Sequence, residues 1–132
     1  MRIYQHSIEM NQRVAEVARR IGRHDRDLVR QLKRAASSVA LNIAEGLGTQ
    51  GGNRELRFKT ALGSAREVQA CLDVARAWGY LDASSKQVQV NVDHVIAMLF
   101  KLVCRFSPSW SHSTGVFFSL MEPPSFQGHG AT

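Results

Sequence analysis

The stretch QLKRAASSVALNIAEGLGTQGG, Gln31–Gly52, contains the second half of an amphipathic helix and the glycines that follow it. At about 100° per residue, this helix has one apolar face and a basic face opposite. The apolar face consists of Leu28, Leu32, Ala35, Ala36, Val39 and Ile43. The basic face carries Arg23, Arg26, Arg30, Lys33 and Arg34. Small residues between the faces let a neighbouring helix approach closely, so we expect the other elements to pack on this helix.

Apolar residues at steps of three and four also predict a helix before this one. It spans Ile3–Ile21 and is followed by a glycine. Asp25 or Asp27 is suited to cap the next helix, because a carboxylate accepts from the open amides of its first turn. Gly46 follows the last apolar position, so we expect this helix to end near Glu45 with Gly46 as a left-handed cap.

Two more helices follow the glycines. The third is predicted from the N-cap Asn53 to Trp78, and the turn GYLD, Gly79–Asp82, closes it. The fourth starts near Ser84 or Ser85, either of which can serve as its N-cap. The loop GLGTQGGN between helices two and three spells G-x-G-x-x-G. The dinucleotide fingerprint needs a strand before it, and a helix precedes this loop, so we interpret it as a turn.

The predicted fold class is all-α, an antiparallel up-down-up-down four-helix bundle formed by residues 1–105. The remainder, residues 106–132, has all three prolines and many serines and glycines, without a helical period. We predict a mostly disordered tail there, with one apolar cluster at Val116–Met121.

Composition limits the class of protein. The chain has 132 residues, of which 44% are hydrophobic, and its net charge is +6. Such a length suits one domain with a real core, and the positive charge favours anionic partners, nucleic acid first. The two cysteines, Cys71 and Cys104, lie in apolar helical patterns and are interpreted as reduced thiols. No apolar run has the length of a signal peptide or a membrane span, so we expect a cytoplasmic protein.

Signatures of enzyme chemistry are missing from the sequence. Acidic residues are scattered along the helices, and the five histidines are far apart, with no cysteine at metal-ligand spacing. No nucleophile elbow and no phosphate-binding lysine loop occurs. The sequence therefore predicts no enzyme, no cofactor and no metal.

A family resemblance appears at SSVALNIAEG, Ser37–Gly46, followed by the glycine loop and the helix RELRFKTALGSAREVQACLDVARAWGYLD, Arg54–Asp82. Together with the opening IYQHSIEMNQRVAEVARRI, Ile3–Ile21, these segments resemble the bacterial four-helix-bundle family of proteins encoded in intervening sequences of 23S rRNA genes. The accessory variability determinant of diversity-generating retroelements is similar. The resemblance covers about Ile3–Arg105.

The resemblance implies a bundle that assembles into a barrel-like homopentamer. In the retroelement branch, it further implies binding of nucleic acid and of a partner reverse transcriptase through basic surfaces. For the intervening-sequence branch it implies no particular role.

The basic surface of helices one and two is the main candidate binding site. Acidic residues are scarce there, which distinguishes it from an ordinary solvated face of mixed charge. Aromatic residues are not interleaved with the basic residues, so we expect contact with phosphates and little sequence preference. The candidate nucleic-acid-binding residues are Arg13, Arg19, Arg20, Arg23, Arg26, Arg30, Lys33 and Arg34.

A second apolar strip on helix three, about 100° from its main face, predicts a subunit interface. The strip consists of Leu56, Cys71, Val74 and Trp78, and we assign the isolated Leu41 of helix two to the same interface.

Asn42 and Glu45 lie three residues apart on one helical flank. One interpretation is a contact between subunits or with a ligand. The favoured interpretation is structural: they satisfy open groups near the glycine loop, with Glu45 accepting from amides at the start of helix three.

Two functions from different classes follow. The first is a non-enzymatic oligomer that binds RNA or DNA. An accessory role to a reverse transcriptase is one form of this hypothesis. The second is a structural or adaptor oligomer that binds an acidic protein, with no nucleic-acid role. An enzyme whose site forms between subunits is a third, weaker hypothesis.

Overall fold

The computed structural model describes residues 2–106, and they form four helices without a strand. This part of the chain confirms the predicted all-α class. The predicted tail lies outside the described residues. The helices are α1 (Arg2–Gly22), α2 (Arg26–Gly48), α3 (Gly52–Ala77) and α4 (Lys86–Phe106), with a short 3₁₀ turn at Ala83–Ser85 before α4.

Side-chain pairs show that neighbouring helices run antiparallel. Ser38 and Glu45 of α2 contact Ser64 and Arg57 of α3, so the numbering rises in one helix as it falls in the other. The first and last helices close the bundle, because α1 packs on α4 as well as on α2. The α1–α2 and α3–α4 turns therefore lie at one end of the bundle, which we call the turn end.

The apolar seams of the four helices meet in one continuous core. Its largest fully buried side chains include Phe58, Met10, Ile21, Leu32 and Leu72. The predicted apolar face of α2 is buried along its whole length. Burial of these seams is the main stabilising term of such a bundle, since each side chain contributes about 1.5–3 kcal/mol.

The start of α2 confirms a predicted cap, and the start of α3 corrects one. The Asp25 carboxylate accepts from the backbone N–H of Leu28 at 2.9 Å, in the manner of an N-cap. At α3, the cap is Gly51 with φ of +72°, and no side chain serves, so the prediction of Asn53 was wrong. Before α4, Asp82 caps the 3₁₀ turn, because its carboxylate accepts from Ser84 N, and α4 begins directly after Ser85.

Gly46 does not end α2, which continues to Gly48. The left-handed glycines of the described chain are Gly51 and Gly79. Gly46 is instead a buried helical position on which the ring of Phe58 packs, and a Cβ there would lie 2.8 Å from Phe58 Cε1. A glycine is needed at this position because α3 approaches closely. Its backbone conformation is that of an ordinary helical residue.

Gly79 is the capping glycine that the sequence indicated after α3. Its φ is +75°, its N–H donates to Arg76 O at 2.9 Å, and Tyr80 N donates to Ala75 O at 2.8 Å. These two bonds are those of a Schellman motif, and they satisfy carbonyls at the end of the helix. The α3–α4 turn therefore has a defined backbone.

Candidate functional site

The outward face of α2 carries Arg26, Arg30, Lys33 and Arg34, whereas Arg23, which was predicted to share this face, lies in the turn before the helix. The four residues on α2 are exposed because they lie opposite the buried seam. Arg30 and Arg34, with Asp27 and Gln31, line a shallow groove along the helix. Arg30 Nη2 lies 3.4 Å from the Asp27 carboxylate, a contact between two highly exposed side chains that contributes little to stability.

The basic residues of α1 do not all join this face. Arg19 and Arg20 occupy the last turn of α1, close along the chain to Arg23 and Arg26. Arg13 lies earlier in α1, away from the turn, and its Nη1 is 3.7 Å from the Glu16 carboxylate. The structure therefore gathers four arginines around the α1–α2 turn and leaves Arg13 apart, paired with an acid.

Arg20 connects the two turns at the turn end. Its Nη1 donates to Ser84 Oγ at 2.6 Å and lies 3.5 Å from the Asp82 carboxylate. Hydrogen bonds from the side chain and backbone of Ser84, with the nearby charge of Arg20, lower the pKa of Asp82 below its usual value. Asp82 is thus a carboxylate at neutral pH and keeps its contact with Arg20.

Several of the predicted cations have no acidic partner. Within residues 2–106, no carboxylate forms an ion pair with any of Arg19, Arg23, Arg26, Lys33 and Arg34. All five side chains are exposed. Their charges are available to an external anion without first breaking an internal ion pair.

Aromatic rings lie in the two turns at the turn end, which the sequence did not indicate. The rings of His24 and Tyr80 stack with centroids 5.0 Å apart and planes within 2°. Trp78, two residues before Tyr80, is 71% exposed. The rings belong to turns far apart in sequence, so inspection of α2 alone could not find them. The position of His24 beside Arg23 was the one local signal.

Asn42 and Glu45 make contacts within the chain. Asn42 Nδ2 donates to Ser38 O at 2.8 Å and to Ser38 Oγ at 3.0 Å, and Ser38 Oγ is 2.8 Å from Ser64 Oγ on α3. The Glu45 carboxylate lies 2.9 Å from Arg57 Nε, which corrects the expectation that it accepts from amides. Glu45 therefore joins α2 to α3 directly, whereas Asn42 supports the Ser38 side chain that makes the contact with α3.

The predicted interface residues differ in their accessibility. Leu41, Leu56 and Trp78 are 63%, 58% and 71% exposed, and Val74 is also exposed. Cys71 belongs to the core, where burial, with a smaller effect of Glu67, raises the pKa of its thiol. Within one chain, the side chain of Cys71 is therefore buried, and its assignment to an exposed strip was wrong. Leu41 and Leu56 lie towards the end of the bundle away from the turn end, whereas Trp78 lies in the α3–α4 turn.

Two other classes of site are absent from the described part of the chain. Among residues 2–106, no group of three His, Cys, Asp or Glu side chains is placed to hold a metal ion. Over the same residues, none of the helices combines the length and apolar character of a membrane span.

Comparisons with known proteins agree with the fold. The family model described as 23S rRNA-intervening sequence protein matches residues 1–101. No curated protein matches the sequence. Among solved structures, the chain is similar to a protein of unknown function from the S23 ribosomal protein family of Bacteroides thetaiotaomicron. The TM-score is 0.71, over 76% of this chain and 97% of that chain, with 16% sequence identity, which shows a shared fold.

Proposed function

The chain belongs to the 23S rRNA-intervening sequence protein family, and from this premise we propose that it is a non-enzymatic protein that binds nucleic acid through its basic surface. The surface consists of the outward face of α2 and the α1–α2 turn. Its ligand is the phosphate backbone, and base sequence contributes little.

One observation carries the proposal: the exposed cations of this surface that have no acidic partner within the described chain. A face that serves solubility mixes charges of both signs, and its cations commonly pair with acids at i+3 or i+4. Here the pairing is confined to Arg30 among the basic residues of α2. Arginine donates in a planar fork that matches phosphate oxygens, which suits a surface rich in arginine.

Assembly into a homo-oligomer would repeat this surface and raise its avidity. The exposed leucines Leu41 and Leu56, on adjacent helices towards the same end of the bundle, support a subunit contact there. We expect light scattering at micromolar concentration to give a multiple of the 14.7 kDa chain mass. Leu41→Ser with Leu56→Ser should reduce that mass while circular dichroism stays helical. A wild-type mass of one chain would contradict the assembly.

Salt-dependent binding tests the proposal directly. Phosphate contacts release counterions, so the logarithm of affinity should fall linearly with the logarithm of salt concentration. The slope is about −0.9 for each duplex phosphate neutralised. Filter binding to duplex and single-stranded RNA and DNA between about 50 and 200 mM salt measures this slope. Absence of binding at the low end would exclude the nucleic-acid role and favour the adaptor function, in which the same arginines contact an acidic protein.

A further inference from the structure

The turn end combines two features that the phosphate-binding proposal does not use together. One is the exposed indole of Trp78 in the α3–α4 turn, two residues before the Tyr80 that stacks on His24. The other is the group of arginines at the α1–α2 turn, including Arg19 and Arg23, which pair with no described acid. Exposed rings among free cations are the composition of a surface for nucleobases and phosphates together.

The rings and the arginines are held in one place by tertiary contacts. Stacking of His24 on Tyr80 joins the α1–α2 turn to the α3–α4 turn, and Arg20 joins them again through Asp82 and Ser84. The Schellman bonds around Gly79 fix the backbone between Trp78 and Tyr80. The indole therefore extends from a constrained turn, which lowers the entropy lost when a ligand stacks on it.

We propose that this end of the bundle is a site for single-stranded nucleic acid, in which an unpaired base stacks on Trp78 while Arg19, Arg23 and Arg26 contact the adjoining phosphates. The inference rests on the proposed nucleic-acid function and names its substrate class. A base in a duplex is already stacked and paired, so only an unpaired base offers its face to the indole.

A comparison of base-bearing and abasic strands separates the two proposals. Wild-type protein is titrated with oligothymidylate and with an abasic oligonucleotide of equal length, which has the same phosphates and no bases. Base stacking on an aromatic side chain is expected to make oligothymidylate bind about tenfold more tightly. Oligouridylate serves as the ribose arm, and a duplex of equal phosphate number should bind like the abasic strand at this site.

Variants assign the base-dependent gain to one side chain. Trp78→Ala should remove most of the tenfold difference and leave affinity for the abasic strand unchanged, and Trp78→Phe should restore part of it. Tyr4→Ala is the matched control, since Tyr4 is an exposed aromatic residue on α1 at the opposite end of the bundle. It should keep the full difference.

Fluorescence gives an independent readout, because the chain has two tryptophans, Trp78 and Trp110. In a Trp110→Phe background, oligothymidylate should quench the emission of Trp78, and the abasic strand should not.

The outcomes are distinct. Equal affinity for both strands, or a Trp78→Ala variant with an unchanged difference, would overturn the stacking site and leave phosphate binding intact. Failure of both strands to bind would remove the proposed function itself. A lower oligomeric mass for Trp78→Ala would also overturn the inference and assign the indole to a subunit contact.

Discussion

Gly46→Leu is expected to unfold the bundle. A Cβ at this position would lie 2.8 Å from Phe58 Cε1 and 3.1 Å from Cδ1, and the ring is fully buried, so it has no room to withdraw. Even Gly46→Ala should be destabilising. Overpacking costs about 1–3 kcal/mol, which exceeds the gain of about 1 kcal/mol from replacing a helical glycine by alanine. The extra branched carbons of leucine increase the cost towards the whole stability of a small domain, about 5–15 kcal/mol.

Gly63 offers a matched control for this prediction. It is also a helical glycine, but it is exposed on α3, and a Cβ there would meet nothing within 4 Å. Gly63→Ala should therefore stabilise the protein by about 0.5–1 kcal/mol. Urea unfolding followed by circular dichroism measures both variants. An increase in the urea midpoint for Gly46→Ala, like the one expected for Gly63→Ala, would contradict the close packing of Phe58 on Gly46.

Charge reversal on α2 should have the largest effect on binding. The triple variant Arg26→Glu, Arg30→Glu and Arg34→Glu removes three cations from one outward face, and none of them is buried. Each phosphate contact contributes just under one order of magnitude at about 0.1 M salt, so we expect the three substitutions to lower the affinity by about several hundredfold. The slope of log affinity against log salt concentration should also become shallower, by the amount expected for about three phosphate contacts.

The control for the triple variant changes the net charge equally at another surface. Arg2→Glu, Lys101→Glu and Arg105→Glu replace three exposed cations at the end of the bundle away from the turn end. This variant should bind within a few-fold of wild type if the α2 face is the site. Equal losses for both triple variants would show a response to net charge alone. Filter binding and a circular dichroism melt of each variant measure binding and folding separately.

The helices were predictable from sequence because a buried seam at steps of three and four has no other simple explanation. The residues at which the helices end were less predictable. Gly46 and Gly79 both follow an apolar pattern, yet only Gly79 has positive φ, and the difference depends on where the ring of Phe58 lies. Likewise, the apolar periodicity of α3 could not separate the buried Cys71 from the exposed Val74.

The candidate site was predictable where it depends on one helix. Opposite faces of α2 follow from its own spacing, so the exposure of Arg26, Arg30 and Arg34 was foreseeable. The aromatic part depends on two turns that meet only in the folded chain, so neither turn alone indicates that His24 stacks on Tyr80. Arg13 is a different case, because Glu16 lies three residues after it on the same helix, so this ion pair was predictable from the spacing and the grouping of Arg13 with the other arginines overlooked it.

The contact of α1 with α4 has a consequence for the order of folding. The other helix pairs are neighbours along the chain, so each closes through a short turn with a small loss of chain entropy. The α1–α4 seam, which includes the stacked rings of His6 and His94, joins the first helix of the chain to the last. We therefore expect this seam to close last during folding and to open first in local fluctuations. Backbone amides along it should then exchange with solvent faster than those between α2 and α3.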